Sequence, residues 1–311
     1  MAGICEGRVV IVTGSGRGLG RAHALEFARQ GAKVVVNDVG AELDGTGSSS
    51  GPAGEVVNEI RGMGGQAIAN GDDVADWEGA KRIIDSAINT FGDVHVLVNN
   101  AGILRDRMLI NMTPEEWDGV IRVHLRGLFC MSQQVAVHWR EQSKAGQAVD
   151  ARIINTTSPS GLYGNVGQTN YSSAKAGIAA FTVTAAQELG RYGVTVNAIS
   201  PGARTRMTET IQRPGRAEPT PGEWDPGDPL NVSSMVVWLA SPEAKDITGR
   251  VFNVRGGNIS VAEGWIAGPE VNKDARWDPA ELGPVVHDLV SKARANAGPF
   301  GKLPAKAPAG A

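Results

Sequence analysis

Cysteine is nearly missing from this chain of 311 residues: Cys5 and Cys130 are the only two. That excludes a disulfide framework and a cysteine metal cage. Histidine is sparse as well, with five scattered residues and no H-E-x-x-H pair, so no metal site is expected. No apolar run approaches the roughly 18 residues that span a bilayer. The opening residues, Met1 to Gly7, lack the charged and apolar regions of a secretory leader. Charge of one sign is lacking too. The formal net charge is −3, which gives nucleic acid no electrostatic footprint to find. The expectation is a cytoplasmic protein with reduced thiols, no membrane span and no nucleic-acid partner.

What is present is a core. Apolar residues make up 41% and charged ones 20%, a balance that supports a globular fold. Seven short β-branched runs stand at 8–13, 33–38, 66–70, 95–99, 151–157, 194–200 and 250–254. They are near-continuously apolar, as parallel strands covered on both faces must be. Helical stretches at 19–30, 53–63, 76–91, 114–142, 168–191 and 231–240 separate them. Strict β-α alternation predicts a single-domain, doubly wound (Rossmann) α/β fold: a seven-stranded parallel sheet with helices on both faces. This domain is expected over residues 1–264. Residues 203–229, broken by Pro214, Pro219, Pro221, Pro226 and Pro229, read as a lid after a strand end. Residues 265–311 form a C-terminal extension with one helix near 279–295.

Between the first strand and first helix runs Thr13-Gly14-Ser-Gly16-Arg17-Gly18-Leu19-Gly20. Glycines let backbone approach a pyrophosphate, and a helix N-terminus attracts the anion. The spacing is G-x-x-x-G-x-G, not the usual dinucleotide fingerprint. Asp38 ends the second strand, where a carboxylate can accept from a ribose 2′-hydroxyl and repel a 2′-phosphate. NAD is therefore expected over NADP, although a guanidinium at Arg17 can serve either a 2′-phosphate or the surface. Asp73 and Val74 follow the third strand and are candidates to meet adenine. Asn99, Ala101 and Gly102 end the fourth: the small residues let a cofactor lie close, and Asn99 either contacts it or ties strands together.

The chemistry is carried by Tyr171-Ser-Ser-Ala-Lys175. A four-residue helical spacing puts Tyr171 and Lys175 on one face. A cation beside a phenol favours the phenolate and lowers its pKa from about 10. Such a Tyr exchanges a proton with an alcohol or ketone. Ser158, at the carboxyl end of the fifth strand, is placed to hold the substrate oxygen, with Ser160 as its competitor. His124 is either a satisfied buried residue or the holder of a water linked to Lys175 in a proton relay.

With TGSGRGLG, NNAG and Ser158/Tyr171-x-x-x-Lys175 in place, the chain resembles the short-chain dehydrogenase/reductase family. The resemblance implies that Tyr171 is the acid/base, and that Lys175 tunes it and binds the nicotinamide ribose. It also implies that Pro201, Gly202 and Thr205 line the nicotinamide end, and that the protein is a homodimer or homotetramer. VVVNDVG, VHLRGLF and SGLYGNVGQTNYSSAKAG bring it nearer the (3R)-hydroxyacyl-CoA dehydrogenase part of peroxisomal multifunctional enzymes and stand-alone bacterial relatives. The expected activity is NAD-dependent interconversion of a 3-hydroxyacyl-CoA and its 3-ketoacyl-CoA. Arg204, Arg206, Arg213 and Arg216 are candidates for the CoA phosphates or for solvent. Alternatives are a 17-hydroxysteroid or other bulky secondary-alcohol dehydrogenase, a 3-oxoacyl carrier protein reductase, and a non-catalytic NAD-binding sensor.

Overall fold

The computed structural model describes residues 3–42, 51–204, 223–298 and 301–303. One sheet runs through the molecule, in the order β3-β2-β1-β4-β5-β6-β7-β8. Its strands are β1 (Val9–Thr13), β2 (Lys33–Asn37), β3 (Gln66–Asn70), β4 (Val96–Asn99), β5 (Ala151–Thr156), β6 (Val194–Gly202), β7 (Val251–Arg255) and β8 (Asn258–Ala262). The first seven pair in parallel, as expected. The eighth, which was not expected, lies antiparallel on β7. Arg255 pairs with Asn258 around a Gly256-Gly257 turn, with Gly256 at φ +54°. Such a two-residue glycine connection favours a hairpin. As an edge strand, β8 shows alternation (Ile259, Val261) in place of the continuous apolar run of a covered strand.

The helices are α1 (Gly18–Arg29), α2 (Gly51–Gly62), α3 (Trp77–Phe91), α4 (Pro114–Ile121), α5 (Gly127–Lys144), α6 (Pro159–Tyr163), α7 (Thr169–Leu189), α8 (Leu230–Ala240) and α9 (Leu282–Lys292). A π turn, Arg122–Arg126, joins α4 to α5, so the single helix expected over 114–142 carries a wider turn inside it. Local chemistry sets the ends. Asp76 caps α3 by accepting from the Gly79 amide, and Gly92 closes it at φ +91°. Thr113 and Glu116 cap α4 reciprocally, with Pro114 in the first turn.

Side chains of β1 alternate between two layers. Val10 and Val12 pack with Phe27 of α1, Ile60 of α2 and Val236 of α8. Val9 and Ile11 face Ile83 of α3 and Met131 and Trp139 of α5. Burying each such side chain contributes about 1.5–3 kcal/mol. The strand order reverses between β1 and β4, and a crevice opens there beyond their carboxyl ends, where doubly wound sheets bind ligands.

The tail is different. No residue of α9 is buried, and Trp265 stands wholly in solvent. The Lys273 ammonium sits 5.1 Å from the Trp277 ring centroid. The tail's end returns to the body, since a Cβ on Gly301 would fall 2.7 Å from the Tyr163 ring. Thr205 and most of the expected lid, residues 205–222, lie outside the described residues.

Candidate active site

The crevice is a cleft of about 580 Å³. Gly14, Arg17, Gly18, Leu19 and Gly20 form one wall. Gly14 is held at φ +62°, and a Cβ there would fall 2.7 Å from Ala101 Cα, so only glycine lets this turn pass the end of β4. The helix α1 begins at Gly18 with no side-chain cap, which leaves its first amides available to an anion in the cleft. These features fit a dinucleotide pyrophosphate. Asp38 lies at the cleft edge and accepts from the Gly16 amide at 2.8 Å and the Gly40 amide at 2.7 Å. Its carboxylate therefore also orders the glycine turn.

Asp73, Val74, Ala101, Gly102 and Pro201 line the cleft as expected. Asp73 is bound at 2.6 Å by Arg122, a lining residue that no local sequence pattern marks. Gly16, Asn99 and Gly202 stand behind the lining. Gly16 supports Asp38, and Gly202 packs on Arg255. Asn99 takes the tying role of its two expected ones: its amide donates to Ser132 and Asn155, both at 3.0 Å. Its neighbour Asn100 faces the cleft instead and donates to the carbonyls of Thr13 and Gly14. Arg204 is ion-paired with Asp225.

At the inner end stand Ser158, Tyr171 and Lys175. Ser158 caps α6, accepting from the Ser160 amide at 3.2 Å, with Pro159 in the first turn. It also hydrogen-bonds the Tyr171 hydroxyl. Ser160 is turned away, donating to Gln168 at 2.7 Å, which decides between the two serines. Lys175 is buried, donates to the Thr156 carbonyl at 2.6 Å and lies 5.5 Å from the Tyr171 ring centroid. The expected fall in the Tyr171 pKa is not what the protein alone gives. Burial pushes the phenol up to about 12, against the lowering effect of Ser158. Burial likewise drops Lys175 to about 7, which weakens it as a cation at neutral pH.

His124 sits in the π turn, a kind of helix defect that recurs at functional sites. Its ring meets Tyr171 edge-on, with centroids 5.2 Å apart. Nε2 faces the Ile103 carbonyl at 2.8 Å, and Nδ1 has no hydrogen-bond partner in the protein. Burial first, and Lys175 second, hold its pKa well below the usual value, so the imidazole is neutral. A Cβ on Gly102 would fall 2.3 Å from His124 Cε1, which shows how closely β4's end is packed under this ring.

A cradle for a pyrophosphate, opening on a lysine-flanked phenol at a switch point, is the machinery of a nucleotide-dependent oxidoreductase. The chain belongs to the short chain dehydrogenase family, which it matches over residues 8–215, a family that binds NAD or NADP. It is 44% identical over 295 residues to the hydroxyacyl-CoA dehydrogenase ChsB1 of Mycobacterium tuberculosis, covering 91% of this chain and 88% of that one. It is 42% identical over 261 residues to the peroxisomal multifunctional enzyme type 2 of Mus musculus, covering 84% of this chain and 32% of that protein. The crystal structure of a short chain dehydrogenase from Mycobacterium avium superposes with a TM-score of 0.87 at 58% identity, covering 96% of this chain and all of that one. Among the described residues, no helix is long and apolar enough to cross a membrane.

Proposed function

We propose that this enzyme interconverts a 3-hydroxyacyl-CoA and a 3-ketoacyl-CoA, using NAD. The observation that carries the chemistry is the Tyr171 hydroxyl, bonded by Ser158 at the inner end of the cleft with Lys175 beside its ring. The thioester substrate is supported by the names of the relatives in Mycobacterium tuberculosis and mouse. Bound NAD would supply a hydride acceptor that bears positive charge. Ser158 holds the substrate oxygen, and Tyr171 removes its proton. Protonated Lys175 stabilises the phenolate against the burial that opposes it. Neutral His124, pinned through Nε2, braces the Tyr171 ring and does not shuttle protons as a cation.

The Asp38 carboxylate favours NAD, because a 2′-phosphate would be repelled at a carboxylate already holding two amides. The test is a panel: a 3-hydroxyacyl-CoA, a 17-hydroxysteroid, and a 3-oxoacyl carrier protein assayed in the reducing direction, each with both cofactors. The expected result is the highest kcat/KM for the thioester with NAD. No turnover of any thioester removes the substrate reading, and tighter binding of NADP removes the cofactor reading.

The protein is also proposed to be a homo-oligomer. Trp117 of α4, Phe129 of α5 and Val183 of α7 are exposed, as are Ile259 and Val261 of the edge strand β8. Large apolar groups left on two helical and strand faces support burial against further copies. Sedimentation equilibrium should report a dimer or tetramer at micromolar concentration; a monomer refutes it.

A further inference from the structure

The catalytic helix α7 is stitched at its start to a segment from the other side of the cleft. Gln168, 5% exposed, immediately precedes the helix. Its amide donates to Asp106 Oδ2 at 2.7 Å, and its carbonyl oxygen accepts from Ser160 at 2.7 Å and Asn165 at 2.8 Å. The Arg107 amide donates to the Gly167 carbonyl at 2.8 Å, making a short parallel bridge between residues 107 and 168. Asn170 completes the seam by donating to the Arg105 carbonyl at 2.9 Å. Tyr171 is the next residue along.

A stitch of this kind needs only an oxygen, and asparagine would supply one. The negative charge of Asp106 is therefore more than the scaffold requires. That charge is half-buried, and burial pushes its pKa up, so holding it ionised has a price. The groups facing the Tyr171 phenol come from every surrounding element: Lys175 from α7, neutral His124 from the π turn, Ser158 from the α6 cap, and Asp106. Arg107, on the same segment as Asp106, is committed to Glu116 of α4 at 2.9 Å. Asp106 raises the phenol's pKa, in opposition to protonated Lys175. A more basic phenolate is a better proton acceptor once formed.

We propose that Asp106 is a positioning residue for the reaction: through Gln168 it fixes the turn that carries Tyr171, and its negative charge opposes the phenolate that Lys175 favours. This rests on the reading of Tyr171 as the acid/base. No bond is made or broken at Asp106 itself.

The experiment is the pH profile of kcat/KM for 3-hydroxybutyryl-CoA oxidation with NAD in Asp106→Asn, which keeps the oxygen for Gln168 and removes the charge. Oxidation requires the phenolate, so its rate rises with pH through the phenol's pKa. Removing a negative charge lowers that pKa and moves the rising limb to lower pH, by about half a unit, or about threefold in rate on the limb. Asp106→Ala loses the stitch as well. It should show the same displacement together with a plateau kcat about tenfold lower, since small misplacements of a reacting group are costly. Dissociation constants for NAD, from fluorescence titration, should stay at the wild-type value in both. An Asn variant whose limb is unmoved, or moved to higher pH, overturns the proposal while leaving Tyr171's role intact. An active Tyr171→Phe enzyme removes that role instead, so the two failures are distinguishable.

Discussion

Tyr171→Phe is expected to lower kcat by about a thousandfold, within the range that a positioned general acid/base supplies. The substitution removes one oxygen and leaves the ring. The edge-on contact with His124 and the packing near Ile103, Val120 and Ala174 survive. Ser158 keeps the Ser160 amide as a partner, so little stability is lost, on the order of 1 kcal/mol. NAD affinity should hardly change, because the pyrophosphate cradle at Gly14–Gly20 is formed by another part of the chain. Steady-state kinetics in both directions, paired with an NAD titration, reads the split. A Phe variant with near wild-type turnover contradicts the mechanism. The wild-type profile carries a second sign. Burial places the phenol at about 12 in the protein alone, so any oxidation limb found nearer neutrality measures how far cations in the loaded site have pulled it down.

Lys175→Met is expected to lower kcat by a similar thousandfold and at the same time to leave the fold as stable or more so. The activity loss follows from removing the cation beside the phenolate. The stability argument runs through protons. Lys175 falls from 10.5 to about 7 on folding, so between those values the unfolded chain binds more protons than the native one. Wild-type stability therefore rises with pH across that window, and the penalty is fully present below pH 7. At pH 7 it amounts to about 4 kcal/mol. Methionine removes that penalty. Part of the gain is offset by the Thr156 carbonyl, which loses its donor at a cost of about 1–3 kcal/mol. Melting curves at pH 7 and pH 10 should show a variant that unfolds no earlier than wild type at pH 7, with the difference narrowing at pH 10. A variant that melts well below wild type at pH 7 shows that the ammonium is held by more than burial allows.

Much of this was legible in the sequence because the signals are local. Seven apolar runs became seven parallel strands, and the glycine turn fell where the strand order reverses. Tyr171 and Lys175, four residues apart on one helix, were bound to share a face. What escaped has physical reasons. The strand β4 is buried on both faces, so hydrophobicity does not say which of Asn99 and Asn100 looks into the cleft. The bond between Asp73 and Arg122 joins residues 49 apart, beyond any spacing rule. A neighbour's charge can be read from spacing, but desolvation cannot, which is why the Tyr171 pKa came out with the wrong sign. The strand β8 was readable from its Gly-Gly turn, but it lacks the unbroken apolar run by which the other strands were found.

The wide turn at Arg122–Arg126 has a consequence for how this helix can be altered. Each added residue advances an α-helix by about 100°. Upstream, the angular phase is set by His124, which must point at Tyr171; downstream, it is set by Met131, Val135 and Trp139, which must point at the sheet. The extra residue acts as a phase adjuster that lets both demands be met on one continuous rod. Deleting one residue there would restore ordinary winding, and one of the two ends would then face the wrong way.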